Sequence, residues 1–332
     1  MQAWLLPKIG TIDSLQLEAI ATPAPGLGEV TLDVLYAALN PADRYLAEGL
    51  YPASPPLPHV LGRDAVGVIS RVGEGVGGWK PGDKALLLRG EAGVSRPGTL
   101  AQQVTVPAEC LECLPEGWTD QQAACAALVY VTAYQALTQF GSKSQSVVLI
   151  SGATGGVGVA TTQLASAMGH TVVGLSRSSE KGAKLLGLGA TWTLNPEDAQ
   201  WPAALKQLLQ PRRVDLIVDN IGGSLLPKMI DLLGMNGCIS LVGMLAGPVP
   251  QFNTASLFFR RLRMQGVAVG TYSVEENREA WRQVVAMLGK IHQRPVIDSV
   301  FAMHQVPSAF ARLAEGPMGK VLVDVTTSSS GI

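Results

Sequence analysis

Charged residues are scarce in this sequence. Asp, Glu, Lys and Arg make up 15% of the 332 residues and nearly cancel, leaving a net charge of −1, whereas about 25% is usual for a soluble domain. No run of basic residues occurs, and we expect no nucleic-acid partner, because such partners are held by basic patches. The low charge predicts much buried surface and is compatible with a subunit interface.

A stretch without any charge lies between Lys143 and Arg177, but it does not predict a membrane span. Glycine, serine and threonine interrupt it, and its hydrophobic pattern changes from that of a strand to that of a helix. The N-terminal residues lack the basic start and long apolar segment of a secretory signal peptide. We therefore expect a cytoplasmic protein without a membrane partner.

Cysteine is also rare, with four in the chain: Cys110, Cys113, Cys125 and Cys238. Cys110 and Cys113 form a single C-x-x-C motif with no second pair and no histidine nearby. In an extended segment, residues three apart face opposite ways. A zinc site or a redox pair is therefore a weaker interpretation than burial as small hydrophobic residues.

The most informative stretch is residues 147–177. Val147–Ile150 is typical of a buried parallel strand, a glycine-rich turn follows, and Val159–Met168 has the spacing of a helix. A second buried strand is predicted at Thr171–Leu175. This order is the first half of a dinucleotide-binding unit, in which backbone amides and a helix N-terminus hold the pyrophosphate; a purely structural turn is the alternative. The predicted cofactor ligands are Gly155, Gly156, Val157 and Gly158, in the pattern Ala153-x-Gly155-x-x-Gly158.

The residues after the second strand bear on the choice of cofactor. NAD sites usually place a carboxylate there, about 20 residues after the glycines. Here the sequence reads Ser176-Arg177-Ser178-Ser179, with Lys181 close behind. Positive charges and hydroxyls suit a 2′-phosphate, so we expect NADPH. The alternatives are a solvated basic loop, or a misleading contribution from Glu180. The predicted phosphate ligands are Ser176, Arg177, Ser178 and Lys181.

The alternation of strands and helices continues along the chain. Four more strands would give six in all, which completes a doubly wound parallel sheet with helices on both faces. The last strand is apolar and would lie at a sheet edge, where an exposed strand invites pairing with a second copy of the chain. We therefore expect a homodimer. The four strands are predicted near Thr191–Leu194, Val214–Ile221, Cys238–Val242 and Gln265–Val269.

The first hundred or so residues have a different pattern of short strands and turns. Val30, Leu32, Val34 and Tyr36 alternate with their neighbours, as in a half-buried strand, and the C-terminal strands return to this β-rich unit. A helix over Asp120–Leu137 leads into the nucleotide-binding part. The sequence thus predicts an α/β protein with a β-rich domain of residues 1–122 with 271–332 and a Rossmann domain of residues 123–270.

A set of short motifs occurs in one order along the whole chain. They are Ala38–Asp43, Gly49–Pro52, Gly62-x-Asp64-x-x-Gly67-Val68, Lys80–Asp83, Ala153–Gly158 and Gly319–Val321. In this the chain resembles the medium-chain dehydrogenase/reductase superfamily, in its zinc-independent branch of quinone oxidoreductase-like enzymes and 2-enoyl thioester reductases. The resemblance is specific for the superfamily and much less so for the substrate. It implies that the β-rich unit is a GroES-like catalytic domain beside the Rossmann domain.

The chain departs from zinc-dependent relatives at their metal-binding positions. Asn40 stands where they have a cysteine, and Gly62-Arg63-Asp64 stands where they have Gly-His-Glu. The loop Leu88–Gly98 is too short for their four-cysteine lobe. Without thiolate and imidazole ligands there is no tetrahedral site to polarise an alcohol, and we expect no metal. A further departure is Pro196, where many quinone reductase-like relatives have a tyrosine beside the adenosine phosphate.

Without a metal, hydride transfer needs an acceptor that is already activated, such as a quinone or a C=C bond conjugated to a carbonyl. The enolate that forms needs hydrogen-bond donors and a proton. By resemblance, Tyr51 lies at the spacing from Asn40 of a proton-donating tyrosine in 2-enoyl thioester reductases, and Tyr45 matches a pocket tyrosine of quinone reductases. We take Tyr51, Tyr45 and Asn40 as candidate catalytic residues; packing of Tyr51 in a loop is the alternative.

The resemblance also implies a set of residues around the nicotinamide, for which ordinary core or surface positions are the alternative. They are Tyr130, Thr132, Gly243, Met244, Leu245, Val267, Val269 and Lys320.

The predicted function is a metal-free, NADPH-dependent reduction of a quinone or an α,β-unsaturated carbonyl compound. A 2-enoyl thioester reductase is the first alternative, with Arg260, Arg261 and Arg263 at the mouth of its tunnel, unless these arginines only form a solvated helix end. A non-enzymatic NADPH-binding protein is the second, against which the pocket tyrosines weigh slightly.

Overall fold

The computed structural model describes residues 1–88, 91–141, 144–248 and 250–327. The chain divides into two compact units. The β-rich unit comprises residues 1–128, 272–278 and 294–332, and the nucleotide unit comprises residues 129–271 and 279–293.

The secondary structure of the first 128 residues is mostly strands. In order, these residues contain β1 (Gln2–Leu6), β2 (Gln16–Ala19), β3 (Glu29–Ala38), α1 (Pro41–Ala47), β4 (His59–Val60), β5 (Asp64–Val72), β6 (Lys84–Leu87), β7 (Gln103–Pro107), β8 (Leu111–Cys113) and α2 (Asp120–Ala124).

Strands and helices alternate in the rest of the chain. It contains α3 (Ala127–Thr138), β9 (Val147–Ile150), α4 (Gly156–Ala167), β10 (Thr171–Leu175), α5 (Ser179–Gly187), β11 (Trp192–Leu194), α6 (Trp201–Leu209), β12 (Val214–Asp219), α7 (Leu225–Ile230), β13 (Leu233–Leu241), α8 (Ala255–Phe259), β14 (Arg263–Gly266), α9 (Val274–Lys290), β15 (Ile297–Ala302), α10 (Val306–Ala314) and β16 (Lys320–Asp324).

Strand β3 is the centre of the β-rich unit. The main sheet runs β15-β16-β3-β5-β6-β8, with β7 also on β3, and a smaller sheet runs β2-β1-β4. Apolar side chains such as Leu6, Leu32 and Val106 form its core. The register pairs Ala38 at the end of β3 with Asp64 on one side and with Leu322 of β16 on the other. Residues just after β3 therefore lie beside the beginnings of β5 and β16.

The nucleotide unit contains a parallel sheet in the order β11-β10-β9-β12-β13-β14. In chain order its strands run third, second, first, fourth, fifth, sixth, which is the order of a doubly wound dinucleotide-binding sheet. Strand β9 is fully buried because helices cover both faces of such a sheet. The predicted α/β fold class is confirmed.

The sixth strand differs from its prediction. It covers Arg263–Gly266 instead of Gln265–Val269, and its side chains are exposed or half-buried. The apolar Val267 and Val269 come after the strand, and both are buried at 8% exposure. The chain turns inward there and forms a 3-10 turn from Val269, so the outer edge of the sheet is more polar than expected.

The helix predicted over Asp120–Leu137 is also wrong as a single element, because it breaks between Ala124 and Ala127. The break allows the Leu128 N–H to donate to Asp64 Oδ1 at 3.2 Å, and residues up to 128 therefore group with the β-rich unit. At the other boundary, Gln293 Nε2 donates to the Gly187 carbonyl oxygen at 3.4 Å, and residues 279–293 group with the nucleotide unit instead of with 271–332. In the part of the chain that the structure describes, no helix is both long and apolar enough to cross a membrane.

Candidate functional site

The glycine-rich turn of the nucleotide unit leads directly from β9 into α4. A Cβ atom added to Gly158 would lie 2.2 Å from the Gly152 carbonyl oxygen and 2.5 Å from Ala153 Cα, so no side chain fits where helix and turn pack. The Val159 N–H donates to the Gly155 carbonyl oxygen at 2.8 Å. The amides of Gly156, Val157 and Gly158 therefore precede the first helical bond and have no acceptor within the helix. Such amides suit a pyrophosphate.

The order of the sheet reverses between β9 and β12, where doubly wound proteins bind ligands. Just beyond β12, buried Asp219 accepts hydrogen bonds from Ser151 Oγ at 2.5 Å and from the Gly222 N–H at 3.1 Å. Asn220 Nδ2 donates to the Ser151 carbonyl oxygen at 2.8 Å, which leaves Asn220 Oδ1 buried and without a partner among the described residues. This acceptor fits a hydroxyl or amide donor of a dinucleotide.

Sequence reasoning did not single out Asn220. The available signal was the run Asp219-Asn220-Ile221-Gly222-Gly223 directly after a buried strand. The segment after β13 packs against it, since a Cβ atom on Gly243 would lie 2.4 Å from the Asn220 carbonyl oxygen. The structure thus brings predicted Gly243 next to a residue that the pattern missed.

The residues after β10 divide into a capping pair and an exposed cation. Ser176 Oγ donates to the Ser178 carbonyl oxygen at 2.8 Å, and Ser178 Oγ accepts from the Lys181 N–H at 3.3 Å, which caps α5. The Arg177 side chain is 74% exposed, and its Nη1 lies 4.0 Å from Glu197 Oε1. Glu180 pairs with Lys184 one turn further along α5. Of the predicted phosphate ligands, Arg177 is therefore the most accessible.

The predicted nicotinamide residues of the nucleotide unit are mostly buried. Tyr130 is 2% exposed, and its hydroxyl donates to Gln163 Oε1 on α4. Thr132 lies two residues further along α3 and is also buried, whereas Leu245 is 54% exposed. The hydroxyl of Tyr130 thus hydrogen-bonds to α4, the helix that follows the glycine-rich turn.

The β-rich unit holds a buried polar cluster of Asn40, Asp64 and Lys320. Lys320 Nζ donates to Asn40 Oδ1 at 2.6 Å and to Asp64 Oδ2 at 3.0 Å. Asn40 Nδ2 donates to the same Asp64 oxygen at 3.0 Å. All three side chains are at most 5% exposed. Register brings them together, because β3, β5 and β16 are neighbours. Asn40 and Lys320, predicted at the substrate and at the cofactor, bind each other.

A second ion pair lies on the other side of Asn40, at the start of α1. Asp43 Oδ2 accepts from the Asn40 N–H at 2.8 Å, and Asp43 Oδ1 lies 3.3 Å from Arg63 Nε. Burial raises the pKa of Asp43, and the positive charge of Arg63 opposes this shift. The Arg63 guanidinium carbon lies 4.3 Å from the centroid of the Tyr51 ring.

The two candidate catalytic tyrosines have different surroundings. Tyr51 is half-buried and stacks on Arg63. Tyr45 lies on α1, where burial raises the pKa of its hydroxyl. Of the two tyrosines, Tyr51 is the one that stacks on Arg63, whose guanidinium belongs to the second ion pair.

Cys125 lies close enough to Lys320 and Asp64 for their charges to act on its thiol. All four cysteines are free thiols, and burial raises the pKa of Cys125 to about 12, which keeps this thiol protonated near neutral pH. Within residues 1–88, 91–141, 144–248 and 250–327, no three His, Cys, Asp or Glu side chains are grouped in a way that could hold a metal ion.

Comparison with known proteins gives matches over both units. The family described as "Alcohol dehydrogenase GroES-like domain" matches residues 26–116, and "Zinc-binding dehydrogenase" matches residues 156–290. The synaptic vesicle membrane protein VAT-1 homolog of Mus musculus is 31% identical, over 97% of this chain and 83% of that protein. The quinone oxidoreductase of Rattus norvegicus is 29% identical, over 97% of each.

Solved structures match over the same extent. An NAD-dependent alcohol dehydrogenase has a TM-score of 0.89 and 28% identity, over 98% of this chain and all of that one. The Escherichia coli quinone oxidoreductase in complex with NADPH has a TM-score of 0.89 and 24% identity, over 98% of this chain and 100% of that chain. This last likeness shows a shared fold.

Proposed function

Because the chain belongs to the medium-chain dehydrogenase/reductase superfamily, in its quinone oxidoreductase-like branch, we propose that it is a metal-free, NADPH-dependent reductase of quinones or α,β-unsaturated carbonyl compounds. The observation that carries this proposal is the cluster of Asn40, Asp64 and Lys320. The Lys320 ammonium group already bonds to both the amide oxygen and the carboxylate. These side chains bond to each other, and an acceptor that is already activated needs no Lewis acid beside them.

NADPH supplies the hydride when it is bound. The amides of Gly156, Val157 and Gly158 hold the pyrophosphate, and Asn220 Oδ1 accepts from a donor of the cofactor. Arg177 and Lys181 meet the 2′-phosphate, with Ser176 and Ser178 shaping the loop. The predicted surroundings of the nicotinamide in this unit are Tyr130, Thr132, Gly243, Met244, Leu245, Val267 and Val269. Lys320 orients Asn40 within the polar cluster, because its ammonium group donates to Asn40 Oδ1 and to Asp64 Oδ2.

Tyr51 supplies the proton in this proposal. When hydride reaches the β-carbon of an enone, negative charge develops on the carbonyl oxygen and the α-carbon. The Tyr51 hydroxyl donates a hydrogen bond to this charge and then its proton. A reduced quinone can take its proton from water, and Tyr51 matters less there. Tyr45 is the second candidate for the same role.

Reduction of 2-enoyl thioesters is the alternative, and the arginines predicted for its carrier phosphate are only partly available. Arg260 Nη1 donates to the Ile230 and Leu233 carbonyl oxygens at 3.0 and 2.9 Å. Arg263 Nη2 donates to Cys238 Sγ at 3.2 Å. Because two of the three side chains already bind their own unit, we favour free quinones and enones.

We further propose that the protein is a homodimer joined through the nucleotide unit. Strand β14 ends the sheet, and beside it Phe258 and Phe259 are 63% and 74% exposed, with ring centroids 4.5 Å apart. Exposed aromatic side chains next to an open edge favour association. Sedimentation should give a dimer at micromolar concentration, and replacing both phenylalanines by aspartate should give a monomer. The cytoplasmic location and the absence of nucleic-acid and membrane partners stay predictions from composition.

The function is tested by following NADPH oxidation with quinones, alkyl enones and enoyl-CoA esters, before and after prolonged chelation. Turnover of a quinone or enone that survives chelation supports the proposal. Preference for enoyl-CoA esters would favour the alternative. Failure with every acceptor, despite tight NADPH binding, would indicate a non-enzymatic protein, and activity lost together with stoichiometric zinc would show that the metal-binding positions were misinterpreted.

A further inference from the structure

A half-buried cation, Arg63, lies against Tyr51. The Arg63 guanidinium carbon is 4.3 Å from the centroid of the Tyr51 ring, well within the range of a cation–π contact. The Arg63 side chain is only 11% exposed. Its charge is therefore screened less by water than that of a surface arginine.

The position of this guanidinium is fixed by α1. Arg63 Nη2 donates to the Ala42 carbonyl oxygen at 3.3 Å, and Arg63 Nε lies 3.3 Å from Asp43 Oδ1. Asp43 is completely buried and is itself held by the Asn40 N–H. The same helix precedes Tyr51 in the chain, so helix, carboxylate, guanidinium and ring form one connected unit.

We propose that Arg63 is a positioning residue for Tyr51, an inference that rests on the proposed function. Its flat guanidinium fixes the plane of the ring and places a positive charge beside the phenol. After hydride from NADPH has formed a bond to the β-carbon, the C=C electron pair resides on the enolate. The Tyr51 O–H bond then breaks, its proton goes to the enolate, and the electron pair stays on the phenol oxygen until water returns a proton. Arg63 stabilises that transient negative charge.

The test is a double-mutant cycle with Arg63→Gln, Tyr51→Phe and both changes together, measured as kcat for an enone with saturating NADPH. With Tyr51 intact, Arg63→Gln should lower kcat about tenfold, within the range for a desolvated cation–π contact. In the Tyr51→Phe background the same change should cost less than about twofold. The KM for NADPH should not change. Arg63→Lys, which keeps the charge, should recover part of the rate.

The melting temperatures of the same proteins report on folding stability independently of activity. Arg44→Gln is the matched control. Arg44 also lies on α1, but its side chain is 44% exposed and pairs with Glu48 of the same segment, so this variant should keep full rate and stability. If Arg63→Gln fails to fold, Arg63→Lys completes the cycle. Equal losses of kcat in both backgrounds would overturn the inference and leave the function intact. A wild-type protein that reduces no quinone or enone would overturn the proposed function, and the role of Arg63 with it.

Discussion

The glycine-rich turn of the nucleotide unit and the polar cluster of the β-rich unit are built from different groups. The turn presents backbone amides. It constrains the sequence mainly by requiring residues without a side chain, such as Gly158. The cluster is built from side chains that bind one another: Lys320 donates to Asn40 and Asp64, and Asn40 donates to Asp64. A backbone site is specified by local sequence, whereas a side-chain site depends on the whole fold around it.

The largest effect should come from breaking the cluster. Lys320→Met leaves Asp64 buried without its cation, and loss of one partner of a buried ion pair costs about 3–5 kcal/mol. Thermal and denaturant unfolding should show this loss. The matched control is Lys184→Met, because Lys184 also pairs with a carboxylate, that of Glu180 at 2.7 Å, but both groups are exposed. We expect no measurable change there. Equal stability of the two variants would contradict a buried, energetically coupled cluster.

The second prediction concerns the chemistry beside that cluster. Tyr51→Phe keeps the ring on Arg63 and removes only the hydroxyl, so folding should survive. For an enone, kcat and kcat/KM should both fall by roughly 10²-fold, the usual range for a positioned acid, with NADPH affinity unchanged. The loss should be smaller for a quinone. If Tyr45→Phe loses activity and Tyr51→Phe does not, Tyr45 is the proton donor and Tyr51 only packs.

The contrast between the two regions also explains which parts the sequence predicted. All predicted ligands in the turn lie within a few residues of β9, and the strand, turn and helix that carry them were predicted from the local pattern. Asn40 and Lys320 are 280 residues apart, and their contact exists only because β16 pairs with β3. No local pattern contains that register. The sixth strand was predicted to be apolar for a related reason. Val267 and Val269 are apolar, but they are buried by packing after β14 has ended, and β14 itself is exposed or half-buried.

The third prediction breaks the turn. Gly158→Ala would place Cβ 2.2 Å from a carbonyl oxygen of the turn, and overpacking of this kind costs about 1–3 kcal/mol. NADPH affinity should fall too, because the turn must move. Gly289→Ala in α9 is the control, since its Cβ would meet nothing within 4 Å. Alanine there should raise stability by up to about 1 kcal/mol. The two Gly→Ala changes should therefore shift the melting temperature in opposite directions, downward for Gly158→Ala and upward for Gly289→Ala.

The smallest effect should come from Arg177, one of the side chains proposed to bind the 2′-phosphate. Arg177 is exposed and faces Glu197 at 4.0 Å, a weak pair in water. Bound 2′-phosphate would replace that weak pair with a charge-assisted hydrogen bond, whose loss costs roughly tenfold or more in affinity. Arg177→Ala should therefore raise the NADPH dissociation constant at least about tenfold, and should leave NADH binding nearly unchanged.

Glu197→Gln should strengthen NADPH binding about twofold by removing a competitor, again without effect on NADH. Titration calorimetry with both cofactors separates these outcomes. Equal affinity of the unmutated protein for NADPH and NADH would show that this loop does not recognise the phosphate, and a gain for both cofactors in Glu197→Gln would place the effect of the carboxylate elsewhere on the nucleotide.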